Sequence, residues 1–451
     1  METKKKGFPV AFWTCAASEI FERLAYYLGR SLILIFVTAT VATGGLGLSD
    51  TTAANMQSNL TAFSYLLPLL GGIVVDHYIG AKYTTPVGML IAGAGYFVGG
   101  ISTSATGVYI MIFLVSAGLA LFKNGPIIGR VITDKDQMDP AFSMRYTLVN
   151  VGAFIGTFLV GILYKDVFAK DGVLGFAPCF KLAALAMVLG ALWYVFVCWR
   201  FLGDVGKRPF NKTKTAEELE MDKDREKKEG SKKEPLTKTE KKRIGAILVA
   251  AIFSIIFWIF WYLGYLPVYY YWAENMNWVV AGYEVPSTWF DAANSMFCVI
   301  LGPITAMLWR KLAARPQGDM SIFRKTAIGI GIIGIGYIFF AVIDIMRGNN
   351  KASVLWLIIF AGLLTLGEMF FSPLGHSFIS KYSPSRYLAV MMSMWGFATF
   401  IAAKSYGPVY GILFGGNIPF KVACFIVAGI SFVAAVIMVA MDKPLAKLVE
   451  D

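Results

Sequence analysis

Residues 216–242 read AEELEMDKDREKKEGSKKEPLTKTEKK, the one long hydrophilic run in a chain of 451 residues that is 57% hydrophobic and 16% charged. A soluble domain carries about 25% charged residues, and an apolar stretch of roughly 20 residues is what a helix needs to cross a bilayer. Outward from the hydrophilic run, such stretches fall at 10–41, 51–75, 83–102, 106–128, 142–164 and 177–201 on one side. On the other they fall at 244–272, 287–309, 324–346, 353–379, 388–414 and 419–441. The pattern predicts an all-α membrane protein of twelve transmembrane helices in two six-helix bundles, 1–201 and 244–451. Residues 202–243 form a charged linker between them, too poor in large apolar side chains to build a core of its own. Its alternating signs suit a surface helix held by Glu–Lys pairs four residues apart.

The net charge of +12 reports topology rather than a nucleic-acid partner. Lys4, Lys5 and Lys6, the cations of 200–243, Arg310, Lys311, Arg315, Arg324, Lys325 and those of 443–447 all fall on one side if the spans alternate. The opposite loops 42–50, 103–106 and 415–418 hold few or none. Cationic loops stay inside, so both termini are expected in the cytoplasm. The first apolar run is longer than a signal-peptide core and contains charges, so it reads as a retained span. Cys15, Cys179, Cys198, Cys298 and Cys424 are scattered without metal-ligand spacing and read as reduced packing residues. His77 and His376 are too few and too far apart for a metal site. Serine–histidine pairs, acidic metal clusters and phosphate-binding glycine loops are missing as well. No catalytic residue, metal or cofactor is expected.

Charge inside a span is expensive, about 2.5–3.5 kcal/mol per group on insertion scales, and so marks function. The first span holds Glu19-Ile-Phe-Glu22-Arg23-Leu-Ala-Tyr26-Tyr27-Leu-Gly-Arg30, whose polar groups recur every three or four residues and share one helical face. Glu19 stands four residues before Arg23, the favourable order for a helical ion pair. With Glu22 alongside, two carboxylates share one guanidinium, so at least one of them is expected to exchange protons. The fourth span carries Lys123 followed by Asn124-Gly125-Pro126, a weakened helix in which the lysine either lines a cavity or reaches toward the interface near Arg130. In the tenth span Glu368 has no cation beside it in sequence and needs a partner on another helix or on a solute, an ammonium being the natural one. The aromatic run of the seventh span includes Trp258, Trp261, Tyr262 and Tyr265, which suit a pocket lining. Tyr269, Tyr270, Tyr271 and Trp272 suit an interfacial belt.

Taken together these residues resemble the proton-dependent oligopeptide transporter family, which includes peptide and nitrate carriers of the major facilitator fold. Glu19-Ile-Phe-Glu22-Arg23 is similar to its E-x-x-E-R motif, followed by Tyr26, Tyr27 and Arg30. Phe142-Ser-Met-Arg-Tyr146-Thr-Leu-Val-Asn150-Val-Gly152 resembles its fifth-helix segment, and Lys123, Asn294, Glu368 and Trp395 fit its fourth, eighth, tenth and eleventh helices. Gly72, Asp76, Gly80 and Lys82 resemble the superfamily's loop between helices two and three. The resemblance implies a monomeric plasma-membrane symporter in which protons are the coupling ion, with Glu19, Glu22 and Arg23 as the coupling group. Its cargo would be a di- or tripeptide, or a similar small zwitterion, moved by alternating access. Arg30 and Lys123 would take the carboxylate, Glu368, Asn150 and Asn294 the ammonium and amide, and Tyr26, Tyr27, Tyr65 and Trp395 would line the site. The seventh span lacks the acidic residue found in many members, and Asn124 stands where proline is common. A nitrate, amino-acid or organic-anion carrier on the same fold is the alternative.

Overall fold

Within a bilayer the backbone has no hydrogen-bond partner but itself, so uninterrupted apolar runs fold as helices. The computed structural model describes residues 7–132, 135–210, 237–316, 320–371, 378–379, 382–383 and 388–450. The chain forms two compact units, Met1–Lys214 and Thr215–Asp451. In the first, the spans are α1 (Val10–Thr38), α2 (Asp50–His77), α3 (Ala81–Ile101), α4 (Ala105–Leu121) continued by α5 (Asn124–Val131), α6 (Lys135–Ile162), and α7 (Phe176–Trp193) continued through a π-helical turn by α8 (Trp199–Leu202). In the second they are α9 (Lys238–Leu263) with the short α10 (Leu266–Tyr269) and α11 (Tyr271–Asn275), then α12 (Trp289–Ala313), α13 (Ile322–Arg347), α14 (Trp356–Phe371), α15 (Leu388–Phe414) and α16 (Phe420–Glu450). These helices fall on the twelve expected apolar stretches. Nine, among the described residues, are long and apolar enough to cross a membrane, and Trp356–Phe371 is a shorter apolar helix.

Most of the expected linker lies outside the described residues, 211–236 among them. Its last residues are already helical, because Thr237 and Glu240 make a reciprocal capping box. The Thr237 hydroxyl accepts from the Glu240 amide at 3.1 Å, and the Glu240 carboxylate accepts from the Thr237 amide at 2.9 Å.

In the first unit α1 packs against α2, α6 and α7, and α3 packs against α4 and α7. The contact of α1 with α6 is a close one. A Cβ at Gly152 would meet the Ile20 carbonyl oxygen at 2.8 Å, and one at Gly156 would meet the Leu24 carbonyl oxygen at 2.4 Å. Small residues four apart let two membrane helices approach backbone to backbone. Toward the first residues of α1, Phe12, Cys15 and Ala16 share a buried cluster with Ile127, Ile128, Tyr194 and Cys198.

In the second unit α13 packs on α14 and α16, α9 on α15 and α16, and α12 on α14. The segment after α9 departs from the belt reading, since Tyr269 and Trp272 are buried. Tyr269 donates to the Asp291 carboxylate, and Tyr271 donates to Asp344. Arg347 donates to the Tyr271 hydroxyl at 2.6 Å and pairs with Asp344 at 2.8 Å. The Tyr271 ring stacks on Phe420, centroids 3.7 Å apart. Phenols with a protein acceptor in reach fold inward instead of staying at the lipid headgroups. Beyond them β1 (Met276–Asn277) pairs in parallel with β4 (Ala352–Ser353). The hairpin β2 (Val279–Val280) to β3 (Tyr283–Glu284) turns on Ala281 and Gly282, both at positive φ.

Candidate functional site

The charges of α1 lie where the sequence pattern puts them, on a buried face: Glu19 is 1% exposed, Glu22 0% and Arg30 5%. Their pairing differs from the expected one. Arg23 donates from Nε to the adjacent Glu22 at 2.5 Å, not to Glu19 one turn away. Glu19 Oε1 instead accepts from Arg145 Nε of α6 at 2.8 Å and from Asn124 Nδ2 of α5 at 3.0 Å. The cluster therefore has two acids and two guanidiniums, where the sequence reading counted one guanidinium. A second cation arrives because Gly152 and Gly156 bring α6 onto α1, and Arg145 lies on the same face of α6, seven residues before Gly152. Arg145 was within the quoted fifth-helix segment, and its lone positive charge in that apolar span was the signal that could have found it.

Beyond the acids, Tyr26 and Tyr27 meet edge to face at 5.3 Å, and the Arg23 guanidinium lies 5.3 Å from the Tyr26 ring centroid. Tyr27 has Arg30 and Tyr65 among its electrostatic neighbours. Gln57 of α2 donates to the Arg30 carbonyl at 3.1 Å, which fixes the backbone beneath that guanidinium. Tyr96 of α3, absent from the sequence reading, is fully buried with its ring against Gly29.

Lys123 sits at the break between α4 and α5, where the helix opens as the Lys-Asn-Gly-Pro sequence predicts. Its ammonium is held by α2: Nζ donates to the Pro68 carbonyl at 2.6 Å and lies beside Gly72, with Asp76 as its charged neighbour. The loop residue Lys82 closes a different contact. Its Nζ donates to the Gly203 and Trp199 carbonyls at 2.7 and 3.3 Å, capping α8, while Trp199 Nε1 returns a bond to the Lys82 carbonyl at 2.9 Å. A Cβ at Gly80 would meet the Gly206 carbonyl oxygen at 2.2 Å, so that loop tolerates no side chain there. Asn150 is used locally, donating to the Tyr146 carbonyl at 3.0 Å.

In the second unit Glu368 and Asn294 meet. Asn294 Nδ2 lies 3.3 Å from Glu368 Oε2 and 2.9 Å from Thr365 Oγ1, and Cys298 Sγ lies 3.9 Å from the same carboxylate oxygen. Neutral donors of this kind hold a buried carboxylate in place and leave its charge for an incoming cation. Trp395 is buried and stacks on Phe371 at 6.0 Å, which stacks on Phe257 at 4.5 Å. His376 lies outside the described residues. Among the described residues, no group of His, Cys, Asp and Glu is arranged to hold a metal ion.

The family model PTR2, described as the POT family, matches residues 207–413. A transporter of Bacillus subtilis (strain 168), named as uncharacterised, is 28% identical over 440 residues, covering 88% of this chain and 87% of its own. Over residues 207–413 the chain thus resembles the POT family. A di-/tripeptide transporter of Lactococcus lactis subsp. cremoris is similar to this chain at 23% identity, covering 99% of it and 97% of the relative. The fold agrees with the solved structure of a peptide transporter POT in complex with sulfate, at TM-score 0.87 and 23% identity over 99% and 98% of the two chains. It agrees also with a POT family transporter in complex with 5-aminolevulinic acid, at TM-score 0.84 and 22% identity over 98% of each. The likeness to these structures gives the chain the helical membrane fold of the major facilitator type.

Proposed function

We propose that this protein is a POT-family, proton-coupled symporter of di- and tripeptides or similar small zwitterions, working in the cell membrane with both termini in the cytoplasm. The observation that carries the reading is Glu368, a carboxylate 8% exposed whose hydrogen-bond partners are neutral groups, Asn294 among them. An acid so placed suits a terminal ammonium, the one cation every unmodified peptide carries. Arg30 and Lys123 are the groups assigned to the peptide carboxylate, with Tyr26, Tyr27, Tyr65, Asn150 and Trp395 as lining. Glu22 and Arg23 form the coupling pair, with Glu19 held beside them by Arg145: a proton on Glu22 releases Arg23, and departure of the proton restores the pair. Relatives named for di- and tripeptide transport support the cargo class.

The test is uptake by proteoliposomes under an inward proton gradient, with a mixed peptide library read by mass spectrometry and a labelled dipeptide competed by unlabelled dipeptides or by nitrate. Dipeptides accumulate and compete on this reading. Competition by nitrate alone assigns the chain to the anion carriers.

A further inference from the structure

We propose that Arg145 is a positioning residue for proton coupling: by occupying Glu19 it keeps Arg23 committed to Glu22, so that protonation of Glu22 is what sets Arg23 free. The inference rests on the transport reading above and assigns a role to a residue outside the motif on α1.

The geometry begins with the buried acid. Glu19 is 1% exposed, and its two donors, Arg145 Nε and Asn124 Nδ2, fall on the same oxygen, while Oε2 has no hydrogen-bond partner among the described residues. Asn124 is itself aimed by a second bond, Nδ2 to the Cys15 carbonyl at 2.8 Å, made possible because α5 starts at Asn124 after the break in the fourth span. Glu22 is likewise bound through one oxygen, with Oε1 unpartnered. Each acid thus has its own guanidinium. The other titratable neighbours are the phenols Tyr26 and Tyr27 beside Arg23, Cys15 and Tyr194 beside Glu19, and Tyr96 of α3 beside Glu22.

Removal of Arg145 alone leaves a buried carboxylate without its counter-charge, a severe defect in a low-dielectric site. The nearest cation able to answer it is Arg23, four residues along the same helix, in the favourable acid-first order. Recruited to Glu19, Arg23 is no longer governed by Glu22, and the proton on Glu22 loses its effect on the rest of the site. A residue acting in this way shows a signature that a packing residue does not. Removing the charge of Glu19 as well abolishes the competition for Arg23 and restores coupling.

The experiment compares dipeptide uptake driven by a pH gradient with gradient-free counterflow in proteoliposomes, for wild type, Arg145→Gln, Arg145→Lys and the double variant Glu19→Gln/Arg145→Gln. Arg145→Gln is expected to lose at least about tenfold in driven accumulation while keeping counterflow. Arg145→Lys keeps most of the accumulation, and the double variant recovers to within about threefold of wild type. If Arg145→Gln does not yield folded protein, the double variant alone decides. Accumulation near the wild-type level supports the role, and failure to accumulate by folded double variant overturns it. Arg145→Gln accumulating like wild type, or a double variant no better than the single, also overturns it. A wild type that accumulates no dipeptide overturns the transport reading itself, and the two failures are told apart by that control.

Discussion

At the residue scale the protein is organised by charges that no lipid-facing surface would keep. On the proposed mechanism Glu22→Gln removes the group whose protonation frees Arg23, and it leaves the helices intact, since the amide oxygen still accepts from Nε at the same place. Proton-driven accumulation is expected to disappear while counterflow exchange persists, measured on the same reconstituted sample. A Glu22→Gln variant that concentrates substrate against its gradient would refute the assignment. Glu368→Gln acts differently, because it takes away the charge proposed to meet an ammonium and spares the coupling pair. A charge-assisted hydrogen bond contributes about 1.5–3 kcal/mol, so the dipeptide dissociation constant is expected to rise about 10- to 100-fold. An N-acetylated dipeptide, which has no ammonium, should show almost no change between the two proteins. The carboxylates of both units were legible in the sequence because a charge in an apolar run stands out locally. Their partners were not, since Glu19 and Arg145 are 126 residues apart and meet only through the packing of two helices.

At the element scale, apolar run length located the helices, while their contacts depended on features of shape. Gly156 looks like any membrane glycine until a Cβ placed there is found 2.4 Å from the Leu24 carbonyl oxygen. Gly156→Leu must push α6 off α1, and overpacking of this kind costs about 1–3 kcal/mol. The expected result is a lower melting temperature in detergent together with weaker driven uptake, since Arg145 retreats from Glu19 with its helix. Gly72, whose added Cβ would lie 3.9 Å from the Lys123 ammonium, tolerates Gly72→Ala with little change and serves as the control. The aromatic run after α9 was read as an interfacial belt because composition alone cannot tell a wet phenol from a bonded one. Asp344 and Arg347, on another helix, turn Tyr271 inward, with 10% and 14% of their side chains exposed. Asp344→Ala strands Arg347 and the Tyr271 hydroxyl together and should destabilise the second unit by about 2–3 kcal/mol, read as a fall in melting temperature.

At the scale of the whole molecule, the chain is two helical units, and the orientation proposed for it rests on the gathering of cations in alternate loops. The five cysteines bear on how this can be tested, because all of them are buried and free, so an impermeant maleimide has little to react with in the unaltered protein. Thr103, exposed between α3 and α4, lies in a loop expected outside. Arg208, exposed after α8, lies in the cation-rich segment expected inside. Thr103→Cys should therefore label in intact cells, and Arg208→Cys only after the membrane is opened. Neither substitution touches a charged group of α1 or the Lys82 contact with α8, so both proteins should keep driven uptake, which verifies that the labelled molecules are folded. Labelling of Arg208→Cys in intact cells, with Thr103→Cys protected, would invert the orientation. Inward proton flow would then reach the carrier from the opposite side, and the direction assigned to transport would have to be reversed with it.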